Sequence, residues 1–178
     1  MTAIEHMLDV GEATCRAIIE TPKGSRSKYT YDPELGVFEL SGLLPAGMSF
    51  PLDFGFIPST LAEDGDPLDV LVIGDEPSAV GCLVSIKILG VIEAEQTEEG
   101  ETCRNDRLIA RVAKSITYGH AGHIDDLGKP FVDHLGKFFV NYNDLKGKTF
   151  KVLRVAGPDE AAVLIEAATA AAKARSDG

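Results

Sequence analysis

Short apolar segments separated by glycine and proline run from about residue 14 to residue 155. Such a pattern is typical of β-strands joined by turns, and helical periodicity is almost absent before residue 120. We therefore predict a mainly β fold with α, a compact and closed or nearly closed OB-like β-barrel flanked by two C-terminal helices. The predicted strands cover residues 15–20, 37–40, 69–73, 82–93, 107–113 and 149–155.

The two predicted helices lie in the last third of the chain. The first begins near Pro130, because proline suits a first helical turn, and its apolar face is expected to cover the sheet. The residues of that face are Phe131, Leu135, Phe138 and Tyr142. The second is predicted over residues 158–175, with acids at its start and bases at its end, as the helix dipole favours. Residues 1–13 show no clear periodicity, and we expect a loosely held arm or short helix there, ahead of a single domain of residues 14–178.

The segment Asp64-Gly65-Asp66-Pro67-Leu68-Asp69 places three carboxylates within six residues, directly before a predicted strand. Carboxylates this close raise one another's pKa unless a cation lies among them, and hard divalent ions such as Mg²⁺ bind oxygen ligands of this kind. An acidic turn is the alternative interpretation. An EF-hand calcium loop does not fit, because its fifth, sixth and twelfth positions would hold Leu68, Asp69 and Asp75. The segment therefore predicts a divalent-metal site.

Composition narrows the function classes. With 178 residues and 44% hydrophobic content, the chain has the size of one domain with a single core. Its net charge of −11 argues against a general binder of nucleic acid or anionic membranes, since both need clustered lysine and arginine. No uncharged apolar stretch reaches the roughly 18 residues of a membrane helix, and the N-terminus carries acids rather than an export signal. We expect a soluble, cytoplasmic protein.

Cys15, Cys82 and Cys103 are far apart and lack the spacing of a zinc or redox motif, so free packing thiols are predicted. A second group of potential metal ligands lies in a glycine-punctuated segment further along the chain. It consists of His120, His123, Asp125 and Asp126. Because no second pair stands at ligand spacing, a polar loop is favoured there.

The acidic segment, extended by Val70, resembles the signature of the soluble family I inorganic pyrophosphatases, in which Asp-Gly-Asp-Pro is followed by a third Asp and Val. Weaker similarities to that family lie in the same order on both sides of it, at residues 20–29, 50–58, 105–109 and 138–142. The resemblance covers about residues 14–175, nearly the whole chain. It implies hydrolysis of inorganic pyrophosphate, a highly charged substrate that needs divalent metals, phosphate-binding cations and an activated water.

The resemblance also implies a metal set. Asp64, Asp66 and Asp69 would ligate Mg²⁺, and Asp66 would also take the proton from the attacking water. Asp106 stands beside the place of a further metal-binding acid, although the best gapped match puts Asn105 there. The completing acid is left open between Asp106 and an upstream acidic run, which is more often a solvated turn. That run contains Glu98, Glu99 and Glu101.

Substrate-binding roles follow from the same resemblance. Lys28 and Arg107 match the family's phosphate-binding cations, and arginine can replace lysine as a phosphate clamp. Tyr142 matches a tyrosine that contacts phosphate, and Glu20 matches a glutamate near the cations. Taken singly, each has a structural alternative, as a surface lysine, a strand-end charge, the edge of an apolar stripe or an outward strand residue. The family also implies a homo-oligomer, commonly a hexamer in bacteria.

Several positions depart from the family pattern, and every change removes a polar group. The family has a glutamate, an arginine, two tyrosines and a lysine where this chain has Thr30, Gly42, Phe50, Phe54 and Asn143. The nearby cations that are candidates to replace the missing ones are Lys23, Arg26 and Arg104. Two alternatives to a working pyrophosphatase therefore stay open. One is a non-catalytic homologue that binds metal and a phosphate ligand, and the other is a hydrolase of an organic diphosphate, because the two phenylalanines make the site more apolar.

Overall fold

The computed structural model describes residues 4–176. This part of the chain contains nine β-strands and two α-helices. The strands are β1 (Thr14–Thr21), β2 (Ser27–Asp32), β3 (Val37–Leu43), β4 (Asp53–Phe56), β5 (Asp69–Ile73), β6 (Leu83–Glu98), β7 (Glu101–Arg104), β8 (Arg107–Val112) and β9 (Thr149–Ala156). The helices are α1 (Lys129–Asp144) and α2 (Pro158–Ser176), and a short 3-10 helix spans Ile124–Leu127.

Five strands are hydrogen-bonded into a ring in the order β1, β4, β5, β8 and β6, with β6 pairing back to β1. The pairing of β5 with β8 is parallel, and the other pairings of the ring are antiparallel. Strand β6 has 16 residues and continues past the ring, where it pairs with β7 and β9. Strands β2 and β3 form a separate hairpin. The predicted mainly β fold, closed or nearly closed and flanked by two C-terminal helices, is confirmed.

All six predicted strands are present, and β6 continues beyond its predicted end to Glu98. The strands that the pattern missed are β2, β4 and β7. Strand β2 contains no fully buried residue, so its sequence shows no apolar alternation. Strands β4 and β7 have four residues each, which is too short for a period to show. The β6–β7 hairpin turns at Glu99 and Gly100, which both have positive φ.

Two apolar clusters fill the interior. In the first, strands of the ring pack against α2 through Ala161, Ile165 and Ala168. In the second, they pack against α1 through Leu135 and Phe139. The predicted face of α1 covers the sheet, and its residues in or against the second cluster are Phe131, Leu135, Phe138 and Tyr142. Between residues 4 and 176, neither helix has the length and apolarity needed to span a membrane.

Residues 4–13 form no helix and lie against the segment that follows β4. The buried ring of His6 places Nδ1 3.1 Å from the carbonyl oxygen of Pro58. The hydroxyl of Ser59 donates to the carbonyl oxygen of Ile4 at 2.8 Å. These contacts tie the arm to the ring. The first three residues of the predicted arm lie outside the described residues.

The cysteines and the histidine-containing segment have local surroundings of their own. Cys15, Cys82 and Cys103 are free thiols, as predicted, and burial raises the pKa of Cys15 to about 12. His123 caps the 3-10 helix, because its Nδ1 accepts from the main-chain N–H of Asp125 at 3.2 Å. The segment is thus a capped polar turn.

Candidate active site

Strands β5 and β8 begin side by side, because their parallel register pairs Asp69 with Arg107. Each of these residues is the first of its strand, so the two side chains meet at one edge of the ring. Arg107 Nη1 lies 2.7 Å from Asp69 Oδ2. This ion pair joins an acid and a cation that are distant in the chain, and it marks the centre of the candidate site.

The Arg107 side chain is held on several sides and only 5% of the residue is exposed. Its guanidinium carbon lies 4.9 Å from the ring centre of Phe139 and 5.4 Å from that of Phe150. Nη1 also donates to the side-chain and main-chain oxygens of Asn105. Within residues 4–176, the buried Nε–H has no hydrogen-bond partner. A buried donor without a partner is costly, so an oxygen that reached this N–H would be stabilised there.

The loop before β5 carries the other two acids of the predicted metal site. The main-chain N–H of Asp66 donates to Asp64 Oδ1 at 3.2 Å, and the Asp66 carbonyl oxygen accepts from the N–H of Ala62 at 2.7 Å. Gly65 has a φ of 92°, a left-handed conformation that a residue without a Cβ adopts readily. Both acidic side chains are exposed, next to the start of β5.

Burial and neighbouring charges shift the pKa values of two acids of the site, Asp69 and Asp64. Burial raises the pKa of Asp69, and the nearby charges of Asp64 and Asp66 raise it further. Arg107 and Lys28 oppose this rise. Desolvation also raises the pKa of Asp64, with Asp66 adding to the effect. Carboxylates that disfavour their own ionised form attract a cation, so the electrostatics of the loop suit a divalent metal.

Glu20, near the end of β1, is buried beside this cluster. Its Oε1 accepts from the main-chain N–H of Tyr31 at 2.8 Å. Burial raises the pKa of Glu20 to about 7, although that hydrogen bond lowers it. The negative charges of Asp69 and Asp66 contribute to the rise, and Lys28 opposes it. The structure therefore brings Glu20 into one electrostatic cluster with the acids and Lys28.

The raised pKa of Glu20 should make the stability of the metal-free protein depend on pH. The pKa in the folded state, about 7, exceeds the ordinary value of 4.5, so the folded protein binds this proton more tightly than the unfolded chain does. The free energy of unfolding should therefore fall as the pH rises from 4.5 to about 7. Urea unfolding in EDTA should show a shallower fall for Glu20→Gln. Glu39→Gln, an exposed strand position, should keep the wild-type slope, and an unchanged slope in Glu20→Gln would contradict the assignment.

Lys28 on β2 approaches Tyr142 near the end of α1. Lys28 Nζ lies 5.9 Å from the ring centres of both Tyr142 and Phe54. The Tyr142 hydroxyl is buried and has no hydrogen-bond partner in the described part of the chain. Gly42 pairs with Lys28 across the β2–β3 hairpin, and a Cβ at Gly42 would meet nothing within 4 Å. The space beside Gly42 that an arginine side chain would enter is therefore open.

The two phenylalanines that stand in place of expected tyrosines belong to a buried aromatic cluster. The ring centre of Phe50 lies 5.5 Å from those of Phe54 and Phe138 and 6.0 Å from that of Tyr142. Phe138 and Tyr142 are stacked at 5.9 Å. Phe50 packs against Tyr142, and Phe54 lies near Lys28. Because the two phenylalanines are at most 5% exposed, they offer little open apolar surface to an organic group.

Asp106 takes part in a different network, so the structure does not bring it to the acidic cluster. Its Oδ1 accepts from the main-chain N–H of Ala94 at 2.9 Å, and both of its oxygens accept from Arg104 Nη2. Asn105 and Asp106 link β7 to β8, and their side chains have different partners. Asn105 and Arg107 are two residues apart and their side chains meet, whereas the side chain between them contacts Arg104.

Three residues around Arg107 were missed or left secondary by the sequence analysis. Asn105 had appeared only as an alternative to Asp106, although its spacing of two from Arg107 was the available signal. Phe139 was not assigned to the site, and Phe150 lies on β9, far along the chain. No local pattern connects these rings to Arg107, because only the packing of α1 and β9 against the ring brings them together.

The carboxylates of the site can supply part of the coordination shell of a divalent metal. Among residues 4–176, no three His, Cys, Asp or Glu side chains are grouped tightly enough to hold a metal unaided. Glu98 of the acidic run is engaged by Lys148 at 2.8 Å. Small hard cations at phosphate sites commonly take one or two carboxylates and complete their shell with water and substrate oxygens. The exposed acids Asp64 and Asp66, beside the partly buried Asp69, fit that mode of binding.

Known proteins resemble this chain over most of its length. The family model described as inorganic pyrophosphatase matches residues 17–173. The inorganic pyrophosphatase of Halalkalibacterium halodurans is 40% identical over 150 residues, which cover 84% of this chain and 90% of that protein. The inorganic pyrophosphatase of Thermus thermophilus is 39% identical over 140 residues, which cover 79% of this chain and 78% of that protein.

Solved structures agree with the sequence comparison. The crystal structure of the Thermus thermophilus inorganic pyrophosphatase superimposes with a TM-score of 0.87 at 34% identity, covering 96% of this chain and 97% of that one. The inorganic pyrophosphatase of Neisseria gonorrhoeae gives a TM-score of 0.86 at 30% identity, covering 96% of each chain.

Proposed function

Because this chain belongs to the inorganic pyrophosphatase family and is an inorganic diphosphatase, we propose that it hydrolyses pyrophosphate with Mg²⁺ at the edge where β5 and β8 begin. The observation that carries this proposal is the ion pair of Asp69 with Arg107. It sets a cation suited to phosphate directly against a carboxylate suited to a metal, and phosphoryl transfer needs both.

Asp64, Asp66 and Asp69 are the proposed metal ligands. Asp106 is left out of the set, because Arg104 and the N–H of Ala94 occupy its carboxylate. Oxygen donors favour hard cations, and Mg²⁺ is the one that enzymes commonly use to bridge carboxylates and phosphate oxygens. When bound, the metal neutralises charge on pyrophosphate and makes a water more acidic.

Asp66 is proposed as the general base. Its exposed carboxylate accepts a proton from the attacking water while the new phosphorus–oxygen bond forms and the bond to the bridging oxygen breaks. Lys28 and Arg107 bind phosphoryl oxygens, and the hydroxyl of Tyr142, which lacks a partner in the described residues, donates to one of them. Glu20 adds a negative charge near Lys28 at the edge of the substrate site.

A phosphate-release assay with purified protein tests this proposal. With Mg²⁺, pyrophosphate should yield two phosphates, and EDTA should stop the release. Pyrophosphate should be preferred over triphosphate and nucleoside diphosphates at equal concentration. Calorimetric binding of pyrophosphate without phosphate release would instead identify a non-catalytic homologue, and preference for a nucleoside diphosphate would identify a hydrolase of organic diphosphates.

We also propose that the chain forms a homo-oligomer, a hexamer, in the cytoplasm. Strand β9 exposes Val152, Leu153 and Val155 to between 37% and 42%, next to the exposed Val140 of α1. Among residues 4–176, β9 pairs only with β6, and exposed apolar side chains on such a strand favour coverage by another copy. Light scattering on the full chain measures the assembled mass.

A further inference from the structure

Lys146 follows α1 and lies over the ring of Tyr142. Its Nζ is 4.4 Å from the centre of that ring, and Lys28 Nζ is 5.9 Å from the same centre. Two lysines therefore approach one tyrosine whose buried hydroxyl has no partner within residues 4–176. Two ammonium groups near one ring favour an anion with several oxygens, because each ammonium group can donate to it.

The turn after α1 sets the backbone of Lys146. Its N–H donates to the carbonyl oxygen of Asn143 at 2.9 Å, and the N–H of Lys148 donates to the same oxygen at 3.0 Å. Gly147 between them has a φ of 72°, as is common where the chain leaves a helix. With the backbone fixed by these bonds, only the side chain of Lys146 remains to be ordered around a ligand.

Asn143 does not occupy the place of the lysine that the family has at this position. It is 3% exposed, and its Nδ2 donates to the carbonyl oxygen of Phe139 at 2.8 Å. The side chain is therefore turned into α1, away from any substrate. Lys146 is exposed and lies three residues further along, at the Tyr142 ring that the missing lysine would adjoin in sequence.

Of the other candidate replacements, Arg26 and Arg104 are engaged elsewhere, and Lys23 lies in the turn between β1 and β2. Arg26 Nε donates to the carbonyl oxygen of Leu44 at 2.6 Å, and Arg104 forms its ion pair with Asp106 at 2.9 Å. Lys146 forms no salt bridge with any acid in the described part of the chain. Its charge is therefore free for a ligand.

We propose that Lys146 is a further substrate-binding cation, which together with Lys28 and the Tyr142 hydroxyl holds one phosphoryl group of pyrophosphate. The identity of the substrate rests on the proposed function, whereas the phosphate class follows from the two ammonium groups and the hydroxyl. The turn after α1 thus supplies a positive charge that Gly42 and Asn143 no longer provide.

A purely structural role for Lys146 makes different predictions. A lysine over an aromatic ring and just beyond a helix C-terminus is stabilised by the ring and by the helix dipole without any ligand. In that case, removing its charge would lower the melting temperature and leave substrate binding unchanged.

Kinetics of three variants separate these roles. Lys146→Gln should raise the KM for pyrophosphate at saturating Mg²⁺ by about tenfold to a hundredfold, as expected for the loss of a charged hydrogen bond. Lys146→Arg should restore most of the affinity, because a guanidinium also binds phosphate. Lys114→Gln is the control, since Lys114 is likewise exposed but lies in the turn after β8, and its KM should equal that of the wild type.

Calorimetry with the non-hydrolysable analogue methylenediphosphonate gives a second readout, independent of turnover. Lys146→Gln should bind the analogue more weakly by the same factor as its KM rises. If the wild type hydrolyses pyrophosphate and Lys146→Gln matches Lys114→Gln in both measurements, the role of Lys146 is overturned. If the wild type binds the analogue through Lys146 without hydrolysing pyrophosphate, the role of Lys146 stands and the proposed catalysis fails.

Discussion

Replacing Asp66 with asparagine is expected to lower kcat for pyrophosphate hydrolysis by about 10²- to 10⁴-fold, the range that a general base supplies. Asparagine keeps the size of the side chain, but its amide cannot accept the proton of the attacking water. The fold should not change, because the Asp66 side chain is exposed and its main-chain carbonyl makes the bond to Ala62. The measurement is kcat at saturating Mg²⁺ and pyrophosphate, with the melting temperature as a check on folding.

Glu76→Gln is the matched control for Asp66→Asn. It removes one negative charge from an exposed acid just beyond the other end of β5. Its kcat should equal that of the wild type. If Asp66→Asn keeps full kcat and changes only the Mg²⁺ concentration needed for activity, Asp66 is a metal ligand and not the base.

Arg107→Met should lower kcat/KM by about 10²- to 10³-fold, comparable to the loss of one transition-state donor in other enzymes. Methionine fills much of the same space against Phe139 and Phe150, so the loss should come from the missing guanidinium. Asp69 would also lose its counter-ion, and its pKa, already raised by burial, would rise further. Kinetics over a range of Mg²⁺ concentrations and pH values measure both effects.

Two further variants test whether the loss of activity in Arg107→Met comes from the missing charge or from a change in the fold. Arg107→Lys keeps the positive charge, so it should retain much more activity than Arg107→Met. Arg111→Met removes another buried arginine of β8, which donates to the carbonyl oxygens of Ala121 and Gly119. It should lower the melting temperature with little change in kcat/KM. Equal losses of kcat/KM in Arg107→Met and Arg111→Met would mean that Arg107 acts only through the fold.

The fold was predictable where an apolar pattern is long enough to repeat. Strand β5 has the bounds that its apolar run predicted, and the α1 stripe lies on the sheet as its spacing required. Strand β4 is specified by its neighbours instead. Gly55 lies so close to the carbonyl of Ile18 that no side chain fits between the two strands. In the sequence, the only sign of this close approach is one isolated glycine, which does not identify a strand.

The candidate site was predictable where its residues are contiguous or follow a family motif. Asp64, Asp66 and Asp69 are close in the chain, so their charge density alone suggested a metal. Asp106 shows the weakness of a near match, because its carboxylate binds Arg104 and the N–H of Ala94, whereas the neighbouring Asn105 contacts Arg107. Lys146 belongs to no motif. Its contact with the Tyr142 ring is local, but only the fold brings Lys28 of β2 to the same ring.

The parallel pairing of β5 with β8 joins strands that are separated in the chain, which affects how the protein folds. Strands β6 and β7 lie between them in the chain, so Asp69 meets Arg107 only after the intervening hairpin has crossed the ring. Long-range pairings of this type form late and slowly. A nascent chain that has emerged only as far as β7 carries the crowded acids without their cation, and their mutual repulsion opposes early order in that loop. Catalytic competence therefore reports that this non-local strand pairing has been completed.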